Sequence, residues 1–250
     1  MLLLDHLYMF VLVVVQPVAG YINFNRLVRR ARAGEPIDRA RLYLETIAGH
    51  WLLFGLALAL WFYQQRAWSD LGFSLEIDKW FLIAVALTIG GILLLVMQLR
   101  QIANTDTEKL RESLGTLGKL EFIFPRNGNE LGRFYGLAVT AGVVEETLWR
   151  GFIIWYFGMF LPLWAAALIS AIGFGVAHAY QGIENVPKIT IVGAAFTALY
   201  LLSGSLWVPM VFHAAVDVLQ GRMIHDVIRR CDSGGPRIDG SGEAAVASGS

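Results

Sequence analysis

The chain has 250 residues, of which 56% are hydrophobic and only 16% are charged, and its twenty acidic residues balance its twenty basic ones. Because ordinary soluble domains contain roughly 25% charged residues, this composition predicts a multi-pass membrane protein. The lack of net charge argues against nucleic acid as a partner. The single cysteine, Cys231, excludes an internal disulfide framework and a thiolate metal cluster.

Apolar stretches close to the ~20 residues that a spanning helix needs predict an all-α, polytopic membrane helix bundle with about seven transmembrane helices. The first stretch has no basic leading region and no clear small-residue cleavage site, so we interpret it as a retained helix and not as a signal peptide. In chain order, the predicted spans are residues 2–22, 46–63, 80–99, 131–157, 163–180, 187–202 and 206–223.

Basic residues in the predicted loops indicate the orientation of the chain. Six arginines lie between the first two spans, and such residues accumulate in cytoplasmic loops. We therefore expect a plasma-membrane protein with its N-terminus outside and its C-terminus in the cytoplasm. The six residues are Arg26, Arg29, Arg30, Arg32, Arg39 and Arg41.

Two further segments are not expected to span the membrane. Residues 107–114 are amphipathic and predict an interfacial helix. The end of the chain is rich in Gly, Ser and Ala and offers too little apolar surface to offset the entropy of ordering, which predicts a disordered tail. The sequence thus divides into an N-terminal membrane region with three spans (1–126), a helical core (127–224) and a polar tail (225–250).

The fourth predicted span contains three charged residues, Glu145, Glu146 and Arg150, in otherwise apolar sequence. A lone ionised side chain at mid-bilayer costs roughly 2.5 to 3.5 kcal/mol even on lenient scales, so such residues persist where they are paired or functional. Glu146 and Arg150 are four residues apart, a spacing that favours a structural ion pair. Glu145 is turned away from Glu146 by about 100°, which leaves it as the candidate for chemistry.

Two other spans place polar residues at the same helical spacing. Phe174 and His178 are four residues apart in the fifth span, and His213 and Asp217 are four apart in the seventh. Either histidine alone is equally well explained as a packing residue. Because three separate helices each carry polar residues in an apolar context, we favour one shared site.

These residues resemble, in order and spacing, the three motifs of the CAAX prenyl protease and bacteriocin-processing family (CPBP, also called Abi) of intramembrane endopeptidases. The resemblance extends over residues 127–219, and residues 70–73 resemble a loop often found upstream. The three motifs together are specific, whereas the first alone is weak. They read Glu145-Glu146-x-x-x-Arg150, Phe174-x-x-x-His178 and His213-x-x-x-Asp217.

The resemblance implies a glutamate-dependent endopeptidase with its catalytic core in residues 127–224. By position, Glu145 is the general base that activates water, His178 assists it, and His213 helps to hold the oxyanion. Asp217 stands where many members have asparagine, and an ionised aspartate cannot donate a hydrogen bond to an oxyanion. The implied catalytic residues are Glu145, Glu146, His178, His213 and Asp217, with Arg150 and Phe174 in support.

Three alternatives stay open at this stage. We expect no cofactor, but Glu145, His178 and His213 could instead hold a zinc ion with one position open for water, although the usual His-Glu-x-x-His pattern is missing. A non-catalytic scaffold or immunity protein of the same fold is the main rival to an enzyme, and a transporter is a weaker one. The expected partners are the lipid bilayer and a peptide or prenylated protein substrate.

Overall fold

The computed structural model describes residues 2–102 and 104–233, and the regular elements of these residues are all helical. This confirms the predicted all-α bundle. The helices are α1 (Leu2–Phe10), α2 (Gln16–Arg32), α3 (Arg39–Tyr63), α4 (Lys79–Ile102), α5 (Thr107–Gly115), α6 (Gly128–Glu146), α7 (Ile154–Gly158), α8 (Leu163–Ala177), α9 (Val186–Ser203) and α10 (Trp207–Ser233).

Two π-helical segments make longer helices out of these elements. Val11–Val15 joins α1 to α2, and Thr147–Ile153 joins α6 to α7, without a break in either case. Every residue of Thr147–Ile153 is buried. Since π-helical turns are rare and frequently occur at functional sites, the second segment marks the region around Arg150 as unusual.

Five helical stretches in the described residues are long and apolar enough to cross a membrane, which supports an integral membrane protein. Their outward faces carry large exposed apolar side chains such as Leu52, Leu87 and Leu94, as expected where lipid is the solvent. The stretches are Leu3–Arg32, Arg39–Tyr63, Lys79–Ile102, Leu163–Gln181 and Ile183–Ser203.

The two remaining predicted spans, at 131–157 and 206–223, are helical but less uniformly apolar. They correspond to the α6–α7 helix and to α10, which pack extensively against each other, while α6 also packs on α3. Because neighbouring helices cover them, their polar residues face protein and not acyl chains. These two helices therefore form the interior of the bundle and carry most of the polar motif residues.

A small residue allows α6 and α10 to approach closely. A methyl group built on Gly142 would lie 2.8 Å from the backbone nitrogen of Ala214 and 2.8 Å from the carbonyl oxygen of Met210. Such contacts are typical of membrane helix pairs, which are held together by packing because lipid supplies no hydrophobic driving force between helices. The close approach brings the C-terminal half of α6 against the first turns of α10.

The buried charge of Asp5, in the first helix, has an ion-pair partner. Asp5 has no exposed surface, and Arg66 donates hydrogen bonds of 2.9 and 2.6 Å to its two carboxylate oxygens. The guanidinium of Arg66 in turn lies 4.0 Å from the ring centre of Trp155. This pair fastens α1 to the loop after α3, at the end of the bundle that we expect outside.

The structure corrects the predicted start of the polar tail. Helix α10 continues through Ser233, so residues 225–233 are helical and not part of an unstructured segment. They are held because Val227 and Ile228 are buried and because His225 Nδ1 donates a hydrogen bond of 3.1 Å to the carbonyl of Pro125. The rest of the predicted tail, residues 234–250, lies outside the described residues. The segment at 107–114 is helical as predicted and forms most of α5; its position at the membrane surface stays a prediction.

Candidate active site

Glu145 lies near the C-terminal end of α6 with its two carboxylate oxygens in different surroundings. Oε1 is 3.0 Å from Nε2 of His50, on α3. Oε2 is buried without a hydrogen-bond partner, and Nε2 of His178 lies 3.8 Å from it. That separation is too long for a hydrogen bond, so one oxygen is engaged and the other is free.

His178 ends α8 and presents a defined nitrogen to this free oxygen. Its Nδ1 lies 2.8 Å from the carbonyl oxygen of Phe174, one turn earlier. A carbonyl can only accept a hydrogen bond, so Nδ1 carries the proton and Nε2 of the neutral ring has a lone pair. The predicted neighbours on α6 and α8 are thus brought together, with an accepting atom on each side of the gap.

His50 is a residue of this site that the sequence analysis did not single out. It lies on α3, 95 positions before Glu145 along the chain, and its side chain is 18% exposed. The only signal was an ionisable residue within the apolar span 46–63. No motif or local partner accompanies it, so nothing in the sequence connects it with Glu145.

Glu146 has an entirely different environment from its neighbour. It and Arg150 have no exposed surface, and Arg150 Nη1 donates a hydrogen bond of 2.9 Å to Glu146 Oε1, as the four-residue spacing predicted. Arg150 also donates to the carbonyl of Gly193 at 2.8 Å, and its guanidinium lies 4.5 Å from the ring centre of Phe174. A buried charge pair needs such additional partners to offset its loss of hydration.

The histidine of the third motif joins this buried pair. His213 Nδ1 lies 2.7 Å from Glu146 Oε1, and since a carboxylate accepts, the ring nitrogen donates. Its other nitrogen, Nε2, is 3.6 Å from Asp217 Oδ2. The contact between Glu146 and His213 could not be predicted from the sequence, because it depends on how α6 and α10 pack.

A cavity of about 660 Å³ lies between α2, α3, α6 and the end of α8. Glu145, His178 and His50 all line it, together with Tyr180 and many apolar side chains, including Trp149. The residues of the buried network, Glu146, Arg150 and His213, are not part of its wall, and neither is Asp217. The predicted site residues therefore form two adjacent groups, one facing the cavity and one enclosed behind it.

The zinc alternative gains no support from the arrangement of the donors. Across residues 2–102 and 104–233, no three His, Cys, Asp or Glu side chains are grouped so that they could hold a metal ion. Of the three ligands considered, His213 turns both ring nitrogens towards carboxylates, Glu146 and Asp217. Glu145 and His178 alone supply fewer ligands than a catalytic zinc site has.

These features define an all-helical integral membrane protein with a carboxylate and two histidines at an intramembrane cavity. Residues 127–219 match the family of Rce1-like type II CAAX prenyl endopeptidases, which confirms the resemblance seen in the motifs and supports a membrane protease at the family level. The matched region contains all three motifs but not His50. No curated protein and no solved structure matches the chain.

Proposed function

We propose that this protein is an intramembrane endopeptidase that hydrolyses a peptide bond with water activated by Glu145 and His178. The observation that carries the proposal is the gap of 3.8 Å between Glu145 Oε2 and His178 Nε2, at the wall of the cavity. Acid and imidazole groups that converge on a cleft are typical of catalytic sites.

The gap has the right size and polarity for the attacking water. A water oxygen about 2.8 Å from each of the two atoms fits a separation of this length. Since Oε2 of a carboxylate and Nε2 of a neutral imidazole both accept, both O–H groups of that water are directed at them. Its lone pairs then face the cavity, where the substrate carbonyl carbon must lie.

Glu145 alone can carry the proton that moves from the water to the leaving amine. As the water oxygen bonds to the carbonyl carbon, one water proton passes to the Glu145 carboxylate and the carbonyl oxygen becomes an oxyanion. The carboxylic acid then gives that proton to the amide nitrogen as the carbon–nitrogen bond breaks, which restores the carboxylate. General acid–base catalysis of this kind contributes about 10²- to 10⁴-fold.

We propose that His213 stabilises the oxyanion, as the family resemblance implies. Nδ1 of this residue is held by Glu146, and Nε2 lies 3.6 Å from Asp217. Because His213 is not part of the cavity wall, this role requires a movement that opens Nε2 to the bound substrate. Asp217 is close enough to stabilise a positive charge on the ring, which suits an aspartate that cannot itself donate to an oxyanion. Glu146 and Arg150 then act by orienting His213, because Glu146 holds Nδ1 and Arg150 pairs with Glu146.

The cavity fits a substrate with a large apolar part. Its volume is within the roughly 300 to 1,000 Å³ of small-molecule sites, and its wall combines apolar side chains with Arg26 and Arg30 at the end of α2. We propose a peptide or prenylated protein as the substrate. With these arginines on the cytoplasmic side of the plasma membrane, the N-terminus is outside and cleavage takes place near the inner surface.

A peptidase assay tests this function directly. Purified protein in lipid nanodiscs is incubated with quenched fluorescent peptides, each with or without a farnesylated cysteine. We expect cleavage of at least one peptide by the wild type, loss of cleavage in Glu145→Gln and His178→Ala, and normal cleavage in Asp226→Asn. Asp226 is a suitable control because this carboxylate pairs with Arg222 on the surface of α10.

Two outcomes contradict the proposal. Cleavage at the wild-type rate by Glu145→Gln rules out this carboxylate as the base. If the wild type cleaves none of the peptides, and a cellular phenotype of the gene persists in both variants, the non-catalytic scaffold or immunity protein explains the fold better.

A further inference from the structure

His50 is a partner of the proposed base that lies outside the region matched by the family. Its helix, α3, packs on α6 across the bundle. The two side chains meet at 3.0 Å, and both line the cavity. The contact therefore lies at the cavity wall and not in the buried network of Glu146, Arg150 and His213.

The hydrogen-bond partners of His50 indicate which of its ring nitrogens carry a proton. Nδ1 lies 2.9 Å from the carbonyl oxygen of Thr46, which can only accept, so Nδ1 carries a proton. Nε2 faces Glu145 Oε1, and because the proposed base is the carboxylate, the proton of this contact is on the ring nitrogen, which donates to Oε1. Oε1 is thus occupied by the hydrogen bond, and Oε2 is the oxygen left to act on water.

From this geometry we propose that His50 is a positioning residue for the proposed peptidase reaction. By binding Oε1, it holds the Glu145 carboxyl group in the orientation that points Oε2 at His178. The inference rests on the proposed function, because it assigns His50 a role through Glu145. His50 itself receives no proton from the water in this scheme.

The structure gives His50 the rigidity that this role requires. The Thr46 carbonyl fixes the ring from its own helix, and a second hydrogen bond of 3.2 Å joins α3 to α6 nearby, from Trp51 Nε1 to Thr140 Oγ1. Without His50, rotation of the carboxyl group would carry Oε2 away from His178. A misplacement of about 1 Å can cost about 10²-fold in rate.

A simple tether between α3 and α6 is the competing explanation, and the chain offers a matched control for it. Trp51→Phe removes the neighbouring side-chain hydrogen bond between the same two helices without touching Glu145. His50→Gln keeps a side-chain N–H that can donate to Oε1, whereas His50→Ala removes the contact completely. A tether predicts equal effects of His50→Ala and Trp51→Phe, whereas a positioning residue does not.

The kinetic experiment compares these three variants in nanodiscs with the farnesylated quenched peptide. We expect His50→Ala to lower kcat about 100-fold with KM within about threefold of wild type. His50→Gln should recover about tenfold of that loss, and Trp51→Phe should keep kcat within about twofold. A wild-type kcat in His50→Ala, or the same loss in Trp51→Phe, would overturn the proposal.

A second measurement does not depend on cleavage. The infrared carboxyl band of Glu145 is identified by its loss in Glu145→Gln. Because a hydrogen bond shifts this band, we expect a shift in His50→Ala and a smaller one in His50→Gln. An unchanged band in His50→Ala contradicts the inference. If the wild type cleaves no peptide, the peptidase proposal fails while this band still decides whether His50 holds Glu145.

Discussion

Glu145 and Glu146 are joined by one peptide bond but have opposite environments. Oε2 has no hydrogen-bond partner in either residue, but Glu145 lies at the wall of a cavity, whereas Glu146 is completely buried and its Oε1 is held by both Arg150 and His213. The difference arises from the rotation of about 100° per helical residue, which turns the first side chain to His50 on α3 and His178 after α8, and the second to His213 on α10. One carboxylate is thus free to react, and the other organises its surroundings.

The largest effect is expected from exchanging each carboxylate for an amide. Glu145→Gln should lower kcat by about 10⁴-fold with little change in thermal stability, because the amide oxygen can still accept the hydrogen bond that His50 donates to Oε1. Glu146→Gln should instead lower stability, because Arg150 then loses its counter-charge in the interior. Peptidase kinetics and thermal unfolding of both variants provide the measurement. Equal effects of the two substitutions on kcat and on thermal stability would contradict the different roles of the two glutamates.

Replacing Arg150, the cation of the buried ion pair, should have an effect nearly as large, in this case on stability. Arg150→Met leaves Glu146 without its ion-pair partner, and an uncompensated buried charge costs about 3 to 5 kcal/mol. We expect low yield of folded protein, measured by size-exclusion chromatography. The double variant Glu146→Gln with Arg150→Met should recover part of the loss, since no unpaired charge remains. Additive losses in the double variant would show that the pair is not coupled.

A smaller effect is expected where α6 meets α10. Gly142→Ala places a methyl group against the backbone of α10, and overpacking of this kind costs about 1 to 3 kcal/mol. The displacement should also separate Glu146 from His213 and lower activity. Gly132→Ala is the matched control, since nothing lies within 4 Å of a methyl group there. Thermal unfolding of the two variants checks this, and equal stabilities would contradict the close packing.

The smallest effect is expected from removing metal ions. Because the base, its water and the histidines are proposed to work without a cofactor, treatment with 1,10-phenanthroline should change the cleavage rate by less than about twofold. The control is a zinc protease in the same buffer, which must lose activity. Inactivation of this protein that is reversed by added zinc would establish the metal-dependent alternative.

Local sequence was enough to predict the fold class, one ion pair of the site and the family. Apolar stretches predicted the all-α membrane bundle, because a spanning segment must satisfy its backbone internally. The ion pair of Glu146 with Arg150 followed from a spacing of four residues, since such side chains lie on the same face of a helix. The order and spacing of three motifs also sufficed to recognise the family over residues 127–219.

The partners of each glutamate were decided only by tertiary structure. His50 meets Glu145 across 95 positions of sequence, and His213 meets Glu146 across 67. No periodicity connects such residues, because their contact depends on which helices are neighbours and how closely they approach. The sequence determined that two carboxylates stand side by side in an apolar helix. The packing of α3, α8 and α10 around that helix gave one carboxylate a cavity and the other a counter-charge.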